Sequence, residues 1–217
     1  MSGTVQWHGG ASLALNSPHD VTIAPGAAIR NNGGGNLTVR ADAVGLNNGG
    51  GIDNRGTIDW SGSTGIVSLL YDMSGTYSAG TLLINRCWTA APFSALVTQV
   101  TAYKLVNRAA DLVKISQDLE GNYALGKDID LQAAQSMPVS PISPSDTTWF
   151  AGQFDGFGHV VSNLNIFVPD YPGPPVSPVY AGLFGVIGVT GVVRNLGVAN
   201  ARVAQRQFRH IRCARRS

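Results

Sequence analysis

Glutamate and lysine are almost missing from this chain: Glu120 alone and three Lys stand beside twelve Asp and twelve Arg in 217 residues. Helices draw on Ala, Leu, Glu, Lys and Gln, whose side chains lose little rotamer freedom there, so this scarcity excludes a helical bundle or coiled coil. Charge as a whole is thin, 13% of residues against about 25% in an ordinary soluble domain. The two cysteines, Cys87 and Cys213, form neither a metal-ligand spacing nor a disulfide framework. Cys87 precedes Trp88 without any motif around it and reads as a small buried residue. The longest uncharged stretch, 171–193, carries four prolines and repeated glycines, which excludes a membrane helix. Residues 1–20 lack the basic start and apolar core of a signal peptide, and a fragment of a longer exported protein is the expectation.

What is plentiful is glycine, 27 residues, interleaved with Asn, Asp, Ser and Thr between short β-branched runs. That composition describes many short strands joined by tight turns. The net charge of +2 has to be divided. Residues 202–217 hold six Arg and no acid, whereas residues 1–201 hold nine Lys plus Arg against thirteen Asp plus Glu, a net of −4. The basic stretch reads as a tail, disordered or out of frame, and it is the chain's only source of phosphate-binding charge. It supplies no folded module, and no nucleic-acid partner is expected.

Residues 1–85 repeat one texture. Alternating runs at 13–15, 21–23, 37–39, 56–60 and 66–70 are separated by Gly/Asn/Asp/Pro clusters, and Leu13, Val21, Ile29 and Leu37 recur every eight residues. Short strands at such regular spacing fit a solenoid, in which each strand stacks on that of the preceding coil, and they also fit a β-sandwich. The Asn/Gly clusters at 31–35 and 47–51 supply residues that tolerate positive φ at corners. Gly49-Gly50-Gly51-Ile52-Asp53 partly resembles a calcium-binding glycine–aspartate nonapeptide, but a single copy reads as corner geometry and no metal or cofactor is expected. Leu105, Ala109, Leu112 and Ile115 have helical spacing, predicting one short amphipathic helix near 107–119 that Gly121-Asn122 stops. The segment 123–131 then alternates as a strand. Pro-rich loops at 132–148 and 169–178 are candidate partner-contact segments.

Two later segments echo each other. Ala151-Gly152-Gln153-Phe154-Asp155-Gly156 runs on to Val160-Val161-Ser162-Asn163-Leu164, and Ala181-Gly182-Leu183-Phe184-Gly185 runs on to Val192-Val193-Arg194-Asn195-Leu196. The second resembles the GLUG motif of large bacterial surface proteins. Ala11-Ser12-Leu13-Ala14-Leu15-Asn16, Asn36-Leu37-Thr38-Val39-Arg40-Ala41 and Gly56-Thr57-Ile58-Asp59-Trp60 are similar to repeats of filamentous-haemagglutinin-like exoproteins. The resemblance spans roughly residues 5–201. It implies an all-β fold, a right-handed parallel β-helix, secreted to the bacterial surface through an outer-membrane transporter partner. Residues 1–95 would be haemagglutinin-type repeats and 96–201 the GLUG-containing segment. The motif would be architectural: Phe154, Phe184, Leu164 and Leu196 filling the interior, Gly152, Gly156, Gly182 and Gly185 beside Leu183 permitting corners, and Asn163 and Asn195 stacking their amides along the axis.

Chemistry is sparse by comparison. His8, His19, His159 and His210 are scattered without a second ligand at metal spacing, and neither a nucleophile elbow nor a phosphate-cradling loop is present. Asp128 and Asp130 face one side of a strand, and Asp155 could join them from a stacked coil. Three such carboxylates would serve calcium or acid–base work on a glycan. The expectation is a non-enzymatic adhesive segment that binds a host-cell or matrix glycan or protein receptor and does not insert in a membrane. A β-helix polysaccharide lyase or hydrolase, or the stalk of a contact-dependent toxin, is the alternative.

Overall fold

The computed structural model describes residues 1–134, 140–143, 145, 147–168 and 180–205. Its strands fall into successive turns of chain. The first holds β1 (Thr4–Trp7), β2 (Leu13–Asn16) and β3 (Val21–Ile23), and the second β4 (Ala28–Asn31), β5 (Leu37–Arg40) and β6 (Ile52–Asn54). The third holds β7 (Thr57–Trp60), β8 (Val67–Asp72) and β9 (Tyr77–Ser78), and β10 (Thr81–Ile84) and β11 (Val100–Val106) follow. Helix α1 (Ala109–Lys114) runs into a 3₁₀ turn (Ile115–Gln117), and then come β12 (Asn122–Leu125) and β13 (Ile129–Asp130). The last two turns hold β14 (Gln153–Asp155), β15 (Val160–Ser162) and β16 (Asn165–Val168), then β17 (Val192–Arg194), β18 (Gly197–Ala199) and β19 (Arg202–Gln205).

Every strand pairing among the described residues is parallel, and each strand pairs with its counterpart one turn away. One sheet runs nearly the whole length in the order β17-β14-β12-β11-β8-β5-β2 and crosses residues 95–96 without a break. Beside it lie β1-β4-β7-β10, β3-β6-β9, β13-β15-β18 and β16-β19. The fold is thus all-β with parallel sheets and one short helix. The regular spacing of Leu13, Val21, Ile29 and Leu37 has a direct structural meaning. Leu13 pairs with Leu37 and Thr4 with Ala28, so one full turn carries the chain from Leu13 to Leu37, three of these steps. Val21 and Ile29 lie on the two sides between.

Period-2 alternation turns one face of each strand inward. Ile29, Leu37, Val39, Ile58, Trp60 and Leu69 are fully buried in one cluster, and Leu112, Tyr123, Phe150, Phe154, Val161 and Ile166 anchor a second. Each such side chain removed from water contributes about 1.5–3 kcal/mol. Strand β11 serves both, Val100 and Ala102 packing on the first cluster and Val106 on the second.

Four expectations are corrected. Cys87 is exposed: its N–H donates to the Asn85 side chain in a surface turn, so it lies outside the alternating strands. Residues 123–131 are two strands, because the chain bends at 126–128 and β12 and β13 join different sheets. The helix is shorter than three full turns, since the last turn tightens to 3₁₀ before Asp118 takes a non-helical backbone. The compositional break at Arg202 is no structural break: Arg202–Gln205 pair with Asn165–Val168 as the next rung of that sheet. Residues 206–217 and the Pro-rich loop at 169–178 lie outside the described residues. Of the loop at 132–148, Ser140, Ile142 and Ser143 are buried, and Ile142 forms a parallel bridge to Phe184.

Candidate functional site

Phe154 sits on β14, fully buried, and Leu164 and Leu183 are buried beside it. Phe184 and Leu196 are partly buried against the same cluster. The Phe184 ring lies 5.3 Å from both Phe154 and Phe150, edge-on to the former. Glycine is required where carbonyls of the next turn come close. A Cβ at Gly152 would stand 1.9 Å from the Gly121 carbonyl oxygen, at Gly156 2.3 Å from that of Asn195, and at Gly185 2.0 Å from that of Ser143. Gly182 instead meets the carbonyl oxygen of nearby Phe184, at 2.9 Å.

The two echoing phrases do not lie in register. Phe154 pairs with Val193 of β17, whereas Phe184 bridges Ile142. Asn163 and Asn195 accordingly do not stack on each other. The pairing of Ser162 with Ala199 brings Asn200 beside Asn163, and that of Asp155 with Arg194 brings Gly156 beside Asn195. Each amide meets a carboxylate instead: Asn163 donates to Asp130 at 2.7 Å and Asn195 to Asp155 at 3.0 Å. Both asparagines are left-handed, φ 58° and 51°, a backbone region that asparagine tolerates better than most residues, so they serve as corners in place of the expected amide stack.

Asp155 anchors a polar group that the sequence did not announce. One carboxylate oxygen accepts from the Phe157 N–H at 2.9 Å and from Asn195, and the other meets the Arg194 guanidinium at 2.7 Å. Arg194 also donates to the Tyr103 hydroxyl at 2.7 Å and to the Ser94 carbonyl at 3.5 Å. Burial pushes the Tyr103 phenol up, opposed by the Arg194 charge, so it stays protonated. Phe157 closes edge-on over Tyr103, ring centroids 5.8 Å apart. Tyr103, Asp155 and Arg194 come from three strands of one sheet, β11, β14 and β17, with β12 between the first two. Only the Asp155–Arg194 register could have revealed them, and that register is not in the sequence.

Asp128 and Asp130 are elsewhere, on and beside β13. Asp128 accepts from the Val160 N–H at 2.9 Å and faces the His159 ring at 3.2 Å. These contacts, the backbone one foremost, hold its carboxyl below the usual range, and Asn163 with the Gln132 N–H does the same for Asp130. Asp155 does not join them: both its oxygens are engaged with partners of its own sheet and the adjoining corner. Among the described residues no group of three or more His, Cys, Asp or Glu is gathered in metal-binding geometry.

At the second glycine-rich cluster, Asp53 pairs with Arg55 at 2.9 Å, and the Gly51 N–H donates to Asp20 at 2.8 Å. The neighbouring corner ties distant turns together. Buried Asp42 accepts from the N–H groups of Leu46 and Asn47 and from the Asn107 amide, and the Asn47 amide donates to buried Asp111 at 2.5 Å. Arg108 and Lys114 approach Asp111 from solvent at 3.4 and 3.6 Å. Asp42, Asp111, Asp130 and Asp155, with Asn47, Asn107, Asn163 and Asn195, thus link one turn to another. No helix of the described residues is long and apolar enough to cross a membrane.

Among curated proteins, the chain is similar to halomucin of Haloquadratum walsbyi, 30% identical over 145 residues. That stretch is 62% of this chain and 1% of halomucin, so the chain spans only a hundredth of the length of the relative it matches. No protein-family profile matches, and no solved structure matches.

Proposed function

We propose that the chain is a structural and adhesive segment of a secreted surface exoprotein of the filamentous-haemagglutinin type, wound as a right-handed parallel β-helix. The observation that carries this reading is the in-register parallel stack, in which each strand pairs only with its counterparts one turn away. Crossovers between parallel strands of one sheet are right-handed in about 98% of cases, which supports the handedness. The roles of Asp155, Asp130 and Asp42 as links between turns support a scaffold over a catalyst. Similarity to halomucin, of which the aligned stretch is 1%, supports a segment of a very long surface protein. The receptor is a glycan or protein of a host cell or matrix, and the parent chain passes through an outer-membrane transporter partner. In this reading the GLUG-like phrases are architecture.

The test is a binding assay of the purified chain on whole cells and on extracted matrix, run beside a polysaccharide-cleavage screen. Saturable adhesion without cleavage is the expected result. Cleavage of a polysaccharide by the purified chain would establish the lyase or hydrolase alternative and overturn the adhesive reading.

A further inference from the structure

Pairing along the long sheet places Tyr71, Lys104, Tyr123, Phe154 and Val193 in one column, with Tyr71 and Tyr123 the direct partners of Lys104 on either side. The column faces inward: Tyr71 packs against the first apolar cluster, Tyr123 and Phe154 belong to the second, and Val193 packs against the second. Lys104 is therefore a charged residue at a position that alternation with Ala102 and Val106 assigns to the interior. A local rule broken within an otherwise consistent pattern marks a position kept for something other than packing.

The interior is open at this point. The sheet β3-β6-β9 ends at β9, and the chain after β11 turns into α1 and the 3₁₀ turn before β13 begins another sheet. The Lys104 side chain, one-third exposed, reaches out through this gap to Asp118, which is 47% exposed, at 3.1 Å. Its ammonium stands 5.8 Å from the centroid of the Tyr123 ring, whose hydroxyl donates to the Asp118 carbonyl at 2.6 Å. On the other side Tyr71 and Tyr77, both half-buried, lie nearly parallel, ring centroids 5.7 Å apart and 21° between planes. Gly121 keeps the floor low. A Cβ there would come within 2.7 Å of the Asp118 carboxylate and 2.8 Å of the Tyr123 hydroxyl.

We propose that this seam, formed by Tyr71, Tyr77, Lys104 and Asp118, is a binding site for a neutral saccharide. It rests on the adhesive reading above and names the chemistry of its receptor. A sugar ring has an apolar C–H face and a rim of hydroxyls that both donate and accept. The stacked tyrosines offer a flat apolar surface with polar tips, the ammonium and phenols donate, and the carboxylate accepts. Because Lys104 and Asp118 neutralise each other, the site favours neither an anion nor a cation. Burial raises both Tyr71 and Tyr77, which keeps their phenols protonated donors at neutral pH.

The probe is an array of neutral hexose and N-acetylhexosamine oligosaccharides, followed by calorimetric titration of the best-bound member against the full chain. The intact chain is expected to bind. Tyr77→Ala and the shape-preserving Asp118→Asn should each weaken binding about five- to tenfold, the scale of one lost aromatic or polar contact, and Phe93→Ala, at an exposed turn elsewhere, should leave it unchanged. A circular-dichroism melt identifies any variant that has unfolded, and Asp118→Asn then carries the comparison. Absence of binding to every neutral sugar, or affinity unmoved by Asp118→Asn in a folded chain, overturns the proposal. If cell adhesion persists in either case, only the seam is refuted; if adhesion is absent as well, the adhesive reading falls with it.

Discussion

Arg194 meets Asp155 at 2.7 Å with 9% and 4% of the two side chains exposed, so this ion pair stands almost wholly outside solvent. Such a pair is costly to desolvate, and removing one partner strands the other charge. Arg194→Met should therefore lower unfolding free energy by about 3–5 kcal/mol. The double change Arg194→Met with Asp155→Leu should cost clearly less, since no charge is stranded. Urea denaturation of the two variants checks the order, and equal losses would show that packing, not charge, dominates there.

The corner asparagines give a second comparison. Asn195 combines a left-handed φ of 51° with an amide bond to Asp155. Asn195→Gly keeps the backbone at ease and loses only the bond, about 1 kcal/mol. Asn195→Ala loses the bond and strains the backbone as well, about 2 kcal/mol in all. Thermal melts of the two variants should rank Gly above Ala.

Glycines divide by their surroundings. A Cβ at Gly152 would collide with the Gly121 carbonyl oxygen at 1.9 Å, while one at Gly10 would meet nothing within 4 Å. Gly152→Ala should destabilise by at least about 1–3 kcal/mol, as overpacking does, and Gly10→Ala should stay within about 0.5 kcal/mol of the parent. Denaturation midpoints of the two alanine variants make the check.

How much of this was legible in the sequence depends on the residue. The eight-residue step that recurs from Leu13 to Leu37 was visible, and three such steps proved to make one full turn of chain. Short strands and glycine corners followed from composition and alternation, and the inward places of Phe154 and Leu164 from the resemblance to GLUG-type repeats. Farther along, the advance between turns varies, because connections of different length enter the stack. From Phe154 to its partner Val193 it is more than half as long again as from Leu13 to Leu37. The sequence echo that sets Ala151 against Ala181 then points to the wrong rung. The pairing of Asp155 with Arg194 was hidden for that reason. So was the position of Lys104, whose inward direction appears only once Tyr71 and Tyr123 flank it.

Acid should weaken the fold through its exposed corner carboxylates. Asp20, held low chiefly by the Gly51 N–H, Asp128 by the Val160 N–H and Asp130 by the Asn163 amide all sit below their usual 3.8 when folded. A depressed acid stabilises the fold above its unfolded value, and that contribution disappears as pH falls through the folded one. Replacing the three with Asn should flatten the decline of stability between about pH 5 and 1, with little change in slope near neutrality. Urea midpoints across that range provide the measurement.

The parallel, turn-upon-turn register underlies every functional statement made for this chain, and backbone NMR of the isotopically labelled protein tests it most directly. Interstrand contacts are expected between Lys104 and Tyr123, Tyr123 and Phe154, and Phe154 and Val193 along one column, with the staggered N–H to Hα pattern of parallel strands. Close Hα–Hα contacts between these strands, or backbone pairing of Phe154 with Phe184 in place of Val193, would contradict the account.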